Sequence, residues 1–241
     1  MKKEVLGVDI DDVSMEEALS TVKTWLTTTK ANKQYVIVTP NPEFLVVAQV
    51  DTEFKEILNQ ADMAIPDGVG LKLSGKIKNT TSGTDLMEEL CKLCRDLGFC
   101  IGLIGGGDLV AKKTKECLIK KYPGLKVVYA SQGLNIVSGS YTTSNITKTI
   151  NKCDILFVAF GMIKQEKWIV ANLDQLPIKV AMGVGGAFDY LSGVVPRAPR
   201  FLRRLGLEWL FRLIIQPWRI KRQLNLVKYI FLVLKSRYGI T

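Results

Sequence analysis

Along residues 1–195, short continuous apolar runs alternate with segments whose apolar residues recur at helical spacing. Continuous apolar runs are typical of strands buried on both faces, and strands that alternate with helices form parallel sheets. The pattern predicts an α/β fold, with a mainly parallel, Rossmann-like sheet and helices on both faces. The predicted strands are Val5–Asp9, Tyr35–Thr39, Met63–Pro66, Phe99–Ile104, Leu125–Ala130, Ile155–Phe160 and Ile178–Gly183.

The predicted helices have recognisable starts. Ser14 and Glu17 form a capping box, and Asn41 followed by Pro42 is a typical N-cap and first position. A glycine-rich turn at Gly68 precedes another helix start. The predicted helices are Ser14–Thr28, the one capped by Asn41, Thr52–Gln60, one from Gly68 to about Ser74, Thr84–Leu97, Asp108–Lys121, Asn145–Asn151 and Gln165–Leu173.

The pattern changes in residues 196–241, which we call the appendage. After Pro217, apolar residues follow a 4-3-4-3 spacing and form a narrow apolar stripe on one helix face: Ile220, Leu224, Val227, Phe231 and Leu234. Flanking the stripe, seven residues apart, are Lys221, Lys228 and Lys235. This arrangement favours a helix lying at a membrane surface. Because Leu226, Tyr229 and Leu232 make the opposite face apolar too, a helix docked on residues 1–195 remains an alternative.

Charge separates the same two parts of the chain. The 33 lysine and arginine residues exceed the 23 aspartate and glutamate residues, for a net charge of +10. The appendage holds eleven basic side chains and one acidic side chain, Glu208, so it carries the whole excess. The chain therefore divides into a neutral α/β domain, residues 1–195, and a basic, largely helical appendage. This charge distribution predicts that the appendage meets an anionic partner, either membrane lipid or nucleic acid.

Composition limits the chemistry. Histidine is absent, which excludes catalytic triads that use histidine, histidine-ligated zinc and a histidine proton shuttle. Cys91 and Cys94 resemble half of a zinc or redox site, but they lie in a helical pattern with no second pair, so we expect buried thiols. The odd number of cysteines and the lack of a secretory signal pattern predict a reducing cytoplasm. No apolar run reaches the ~18 residues of a membrane span, so any membrane contact would be peripheral.

Candidate site residues follow predicted strands, where parallel sheets bind ligands. Asp67 comes after one strand and could serve as a catalytic carboxylate or only cap the next helix. Thr39 and Asn41 follow another strand; they suit sugar hydroxyl or acetamido groups, although capping alone would explain Asn41. The loop Gly105, Gly106 and Gly107 could hold a diphosphate at a helix start. Its third-glycine position is Val110, so a nicotinamide dinucleotide is not expected.

An acidic group, Asp9, Asp11 and Asp12, resembles the metal-binding pair of some glycosyltransferases. It directly precedes the capping box of Ser14, where acidic residues favour the start of a helix. We therefore expect no metal there.

Several motifs in order resemble the WecG/TagA/CpsF family of bacterial glycosyltransferases, glycosyltransferase family 26, over nearly the whole chain. They are most similar to the members that build the linkage unit of wall teichoic acid. Thr80 and Thr81 stand where relatives usually carry an arginine, and Ile163 replaces a common proline. The motifs are Thr39–Glu43, Pro66–Gly70, Ser82–Leu86, Gly161–Trp168, Gly183–Asp189, Arg197–Arg200 and Gly206–Arg212.

The resemblance implies an inverting enzyme, independent of metal and cofactor. It would move N-acetylmannosamine from UDP to the 4-hydroxyl of GlcNAc-diphospho-undecaprenol. By resemblance, Asp67 is the general base and Thr39, Asn41 and Gln165 line the pocket. The appendage residues implied to close over the UDP diphosphate are Arg212, Arg219 and Arg222. With a membrane-bound acceptor, the appendage and its three lysines would hold the enzyme peripherally on the inner face of the cell membrane.

Three alternatives stay open. The same chemistry with another UDP-sugar, such as N-acetylmannosaminuronic acid or a hexose, fits the sequence equally. A nucleic-acid-binding protein could use the arginines and tryptophans of the appendage, although the appendage is too apolar for a solvated arm. A Rossmann oxidoreductase is disfavoured by the broken glycine fingerprint. The oligomeric state is open, and association through the apolar appendage is compatible with the pattern.

Overall fold

A computed structural model describes residues 2–28, 33–107, 109–133 and 149–238, apart from the side chains of Lys221, Gln223 and Tyr238. It confirms the predicted α/β fold. Six strands form one parallel sheet in the order β4-β3-β8-β7-β5-β6. Their bounds are β3 Tyr35–Val38, β4 Met63–Ala64, β5 Cys100–Gly105, β6 Lys126–Ser131, β7 Ile155–Ala159 and β8 Val180–Gly183.

The predicted first strand, Val5–Asp9, is wrong: the structure has an antiparallel hairpin there. β1 (Lys2–Val5) pairs with β2 (Val8–Asp11). The connection is Leu6 and Gly7, both with positive φ, at 53° and 74°. Two such residues make the tight turn whose twist suits a hairpin. Leucine concealed that turn because its side chain continues the apolar pattern.

The helices lie close to their predicted positions, and the capping box of Ser14 and Glu17 forms as expected. The segment after Asp67 is a 3₁₀ helix, Val69–Ser74. The predicted start at Asp108 lies outside the described residues, as does most of the predicted helix Asn145–Asn151. The α-helices are α1 Met15–Thr27, α2 Pro42–Val47, α3 Thr52–Gln60, α4 Gly83–Leu97, α5 Val110–Lys121, α6 Lys164–Asn172, α7 Ala187–Leu191, α8 Arg200–Arg204, α9 Glu208–Ile215 and α10 Ile220–Tyr238.

Side chains of the central strands enter two apolar cores, one on each face of the sheet. In β7, Leu156 and Val158 pack with α2, α3 and α6, whereas Ile155 and Phe157 pack with α1, α4 and α5. All five residues of β7 are buried, as the continuous apolar run predicted. Cys91 and Cys94 of α4 are buried free thiols in the second core, as expected.

The last helix, α10, docks on the sheet domain and keeps the apolar stripe exposed. Its inner face packs on α2 and on the 3₁₀ helix, where Tyr229 and Val233 join the first core. Tyr229 is fully buried, with its hydroxyl 3.5 Å from the carbonyl oxygen of Leu71. The structure therefore confirms the docked interpretation for the inner face, and the membrane-surface interpretation of the exposed face stays a prediction. All five residues of the stripe are exposed: Ile220, Leu224, Val227, Phe231 and Leu234. Among the described residues, no helix combines the length and apolarity needed to cross a bilayer.

Tyr229→Ala should detach α10, since removal of a fully buried aromatic side chain costs about 3–5 kcal/mol. Phe231→Ala is the matched control, because Phe231 lies on the same helix but is 65% exposed. The measurement is the rate of trypsin cleavage after Lys228 and Lys235, which rises when a helix opens locally. We expect faster cleavage in the Tyr229 variant alone. Equal rates in the two variants would show that Tyr229 does not hold the helix.

Candidate active site

A cleft of about 950 Å³ lies between the carboxyl edge of the sheet and the appendage. Loops after β3, β4, β5, β7 and β8 form its floor, and α9 and α10 form one wall. Gly105 ends β5 and does not line the cleft, and Lys228 and Lys235 lie outside it on exposed helix. The side chain of Lys221 lies outside the described residues. The cleft brings together the other predicted substrate-binding residues: Thr39, Asn41, Asp67, Gly106, Gly107, Gln165, Arg212, Arg219 and Arg222.

Asp67 is the residue that the family resemblance implies as the general base. Its backbone N–H donates to the carbonyl oxygen of Pro40, and its side chain does not cap the following helix. Burial, and after it the negative charge of Glu208, raise the pKa of Asp67 to about 7, against a hydrogen bond from the Gly83 backbone. A carboxyl group with a pKa near neutral pH is suited to general-base chemistry.

Glu208 reaches this site through a network of ion pairs between the appendage and α4. Arg197 is its hub: Nη1 lies 2.8 Å from Asp85 Oδ1, and Nε lies 3.2 Å from Glu208 Oε1. Arg203 also pairs with Asp85, at 3.2 Å, and its buried Nε has no hydrogen-bond partner among the described residues. Sequence reasoning gave these residues no role in a transferase site. The available signal was that Glu208 is the single acidic residue of a strongly basic segment.

Besides Arg203, which pairs with Asp85, three arginines supply positive charge to the cleft. Burial and the like charges of Arg212 and Arg222 lower the pKa of Arg219 to about 10. In the described part of the chain, Arg219 has no carboxylate partner, whereas Arg212 lies 3.5 Å from Asp189 and Arg222 pairs with Glu43. A cluster of partly buried arginines that repel one another is suited to binding an anion.

Arg212 lies close to the backbone at Gly186. A Cβ atom at Gly186 would lie 2.5 Å from Arg212 Nη2, so a side chain there would displace the guanidinium group. The guanidinium carbon of Arg212 also lies 4.8 Å from the centroid of the Tyr190 ring. This cation–π contact stabilises the positive charge of Arg212. The motif Gly183–Asp189 thus positions an arginine from the appendage.

Known proteins of similar sequence identify the family of this chain. The model of the glycosyl transferase WecG/TagA/CpsF family matches residues 3–240. The chain belongs to this family. A Staphylococcus aureus (strain MRSA252) relative is 30% identical over 243 residues, which cover 98% of this chain and 93% of the relative. A Bacillus subtilis (strain 168) relative is 34% identical over 206 residues, covering 83% and 79%. Both are named N-acetylglucosaminyldiphosphoundecaprenol N-acetyl-beta-D-mannosaminyltransferase.

Membership in the WecG/TagA/CpsF family decides between the function classes that the sequence left open. The chain is a glycosyl transferase, so the alternatives of a Rossmann oxidoreductase and of a nucleic-acid-binding protein are set aside. The glycine loop after β5 lies at the cleft, as expected, although a nicotinamide dinucleotide is not expected there. Gly106 and Gly107 border the cleft, and both have a positive φ, at 83° and 76°.

In this transferase, Gln165 is bonded at both ends of its amide. Oε1 accepts from the Gly185 backbone at 2.9 Å, and Nε2 donates to Glu166 Oε1 at 2.6 Å. Glu166, which sequence reasoning missed, is buried and also accepts from the Ile163 backbone. Burial raises the pKa of Glu166 to about 7. The pair therefore fixes the loops after β7 and β8 at the floor of the cleft.

The acidic group at the amino terminus has structural partners. Asp11 Oδ2 accepts from the Ala64 backbone at 2.9 Å, and Asp12 Oδ1 accepts from the backbones of Lys78 and Asn79. These bonds tie the hairpin to the sheet domain. In the parts of the chain that the structure describes, no three acidic or cysteine side chains are grouped as metal ligands.

The pKa of Asp67 can be measured by ¹³C NMR on protein labelled at aspartate carboxyl carbons, with the Asp67→Asn variant identifying the resonance. We expect a midpoint of about 7. Because an ionised neighbour disfavours a second negative charge, Glu208→Gln should lower the midpoint. Glu116→Gln is the control, since it removes an exposed carboxylate that does not line the cleft. An Asp67 midpoint near the ordinary aspartate value, or one unchanged by Glu208→Gln, would contradict this account.

Proposed function

We propose that the protein transfers N-acetylmannosamine from UDP to the 4-hydroxyl of GlcNAc-diphospho-undecaprenol, in synthesis of the linkage unit of wall teichoic acid. The activity for which the relatives are named supports this acceptor and sugar. The observation that carries the mechanism is that one carboxylate with a pKa near neutral shares a cleft with a cluster of arginines. Among the described residues, no other carboxyl group with a pKa near neutral shares a cleft with a cluster of arginines.

The reaction is a single displacement. The 4-hydroxyl oxygen of the acceptor attacks the anomeric carbon of the donor sugar while the bond from that carbon to the UDP oxygen breaks. Asp67 takes the hydroxyl proton, and UDP leaves with the bonding electron pair. Attack opposite the leaving group inverts the anomeric centre. An Asp67 pKa of about 7 leaves the carboxylate available near neutral pH and basic enough to accept the proton.

The departing UDP gains negative charge, and the arginines are placed to stabilise it. Arg219 is the strongest candidate because the described residues give it no carboxylate partner. Arg212 joins it from the Gly186 side, whereas Arg222 is engaged by Glu43 in the free protein. Donors positioned before the reaction stabilise developing charge without reorganisation.

The other predicted residues are proposed to bind the sugar and the nucleotide of the donor. Asn41 Oδ1 accepts from the backbones of Glu43 and Phe44, which leaves its NH₂ group to donate to a ligand. Thr39 supplies a hydroxyl at the same strand end. The backbone at Gly106 and Gly107 can approach the nucleotide closely because no Cβ intervenes.

The appendage is proposed to bind the surface of the membrane that holds the acceptor. Its apolar stripe and the lysines Lys228 and Lys235 are exposed on the side of α10 away from the first core. Basic residues near an anionic bilayer each contribute about 1 kcal/mol of attraction. The enzyme is thus proposed to act peripherally at the cytoplasmic face of the membrane. Without a membrane, the same apolar stripe provides a surface for self-association.

Asp67→Asn should reduce transfer by about 10²–10⁴-fold, because the amide cannot accept the acceptor proton. The measurement is turnover of UDP-N-acetylmannosamine with a soluble, short-chain GlcNAc-diphosphate acceptor. Binding of the UDP-sugar, followed by calorimetry, should survive and serves as the folding control. Full activity in the variant would remove Asp67 from this role. Turnover of a different UDP-sugar in place of UDP-N-acetylmannosamine would keep the mechanism and change the donor.

The two roles of the appendage should separate. Arg219→Ala should lower turnover of the soluble acceptor by about 10²-fold, the usual effect of losing one preorganised donor, and leave vesicle binding intact. Lys228→Glu combined with Lys235→Glu should do the reverse: it should spare the soluble assay and reduce flotation with anionic vesicles. The same loss in both assays for both variants would argue against separate roles.

A further inference from the structure

One wall of the cleft is apolar and runs from Asp67 to the exposed side of α10. The 3₁₀ helix begins two residues after Asp67 and turns Leu71 into the core, whereas Val69 and Leu73 face the cleft. Trp209 of α9 and Leu226 and Ile230 of α10 continue the wall. With a rise of about 2 Å per residue, Val69 to Leu73 alone spans about 8 Å.

The wall is continuous because glycines allow its parts to touch. A Cβ atom at Gly70 would lie 2.7 Å from Pro42 Cγ and 3.6 Å from Leu226 Cδ1. A Cβ atom at Gly206 would lie 2.5 Å from Val69 Cγ2. The 3₁₀ helix therefore packs directly against α2, α10 and the turn between α8 and α9. The apolar surface passes from one element to the next without a polar gap at these contacts.

This wall is exposed although it lines a catalytic cleft. Val69, Leu73, Trp209 and Ile230 are all exposed large apolar side chains. The charged residues of the cleft account for the diphosphate of a sugar nucleotide, and its single uracil ring is too small to cover a wall that spans about 8 Å from Val69 to Leu73 alone. Ile230 lies on α10 beside the apolar stripe residues Val227 and Phe231, so the wall ends where the proposed membrane surface begins.

We propose that this wall binds the first isoprene units of the acceptor's polyprenyl chain, guiding the lipid from the cleft to the bilayer. The inference rests on the proposed function, because it needs a lipid-linked acceptor whose sugar reaches Asp67. The apolar residues Val69, Leu73 and Ile230 cover the chain, and burial of each methylene favours binding. Specificity for the lipid part of the acceptor thus lies in the 3₁₀ helix and the inner edge of α10.

The test uses a series of GlcNAc-diphospho-alkyl acceptors of increasing chain length, kept below the micelle-forming concentration and without membrane. In the wild-type enzyme, kcat/KM should rise with chain length, by up to about fourfold per fully buried methylene, equivalent to about 0.8 kcal/mol. Leu73→Asn combined with Ile230→Asn should flatten this dependence. The readout is the ratio of kcat/KM for long and short acceptors.

The matched control is Val227→Asn combined with Phe231→Asn, two exposed positions of α10 outside the cleft. This control should keep the wild-type ratio and reduce vesicle binding. A wild-type ratio retained in the Leu73 and Ile230 variant, or lost in the control, would overturn the proposed lipid path. Failure of the wild-type enzyme with every acceptor of this class would instead reject the proposed function, and the lipid path with it.

Discussion

Burial of Tyr229 against the 3₁₀ helix that follows Asp67 is the contact on which the cleft depends. Its side chain is fully buried, and with Val233 it extends the core on one face of the sheet. This contact fixes the last helix, and with it the wall that carries Arg219 and Arg222. The ion pairs of Arg197 and Arg203 with Asp85 hold the earlier part of the appendage in the same way. A segment of very different composition thereby completes a site on the sheet domain.

The resulting cleft is electrostatically unfavourable in the free protein. Burial and Glu208 raise the pKa of Asp67, while burial and two neighbouring arginines lower the pKa of Arg219. Both groups are thus shifted towards their neutral forms. In the proposed reaction, an anionic donor would relieve the repulsion among the arginines, and the acceptor hydroxyl would give Asp67 a proton to accept. Strain of this kind, maintained by the surrounding fold, is characteristic of functional sites.

Sequence patterns predicted the sheet because its strands are continuous apolar runs, as in Ile155–Ala159. They failed where one local pattern fits two different structures. Leu6 reads as a strand residue and yet occupies a turn with positive φ. The last helix is apolar on two faces, and periodicity alone does not say which one is buried.

Long-range pairing was the other limit on sequence reasoning. The strand-end rule and the family resemblance together placed Asp67, Thr39, Asn41 and the arginines in one cleft. Arg197 and Asp85 are 112 residues apart in the chain, so no spacing rule connects them. The effect of Glu208 on Asp67 depends on the same folded arrangement. Both carboxylates stood out in the sequence, but their proximity did not.

The central claim is that the appendage completes the active site rather than only attaching the enzyme to a membrane. The most direct test is turnover of a soluble, short-chain acceptor by protein lacking residues 196–241, with circular dichroism and thermal unfolding to confirm that residues 1–195 are folded. The account predicts a folded protein with almost no transferase activity, since Arg212, Arg219 and Glu208 are all lost. A folded, truncated protein that turns over this acceptor as fast as the intact chain would contradict the claim.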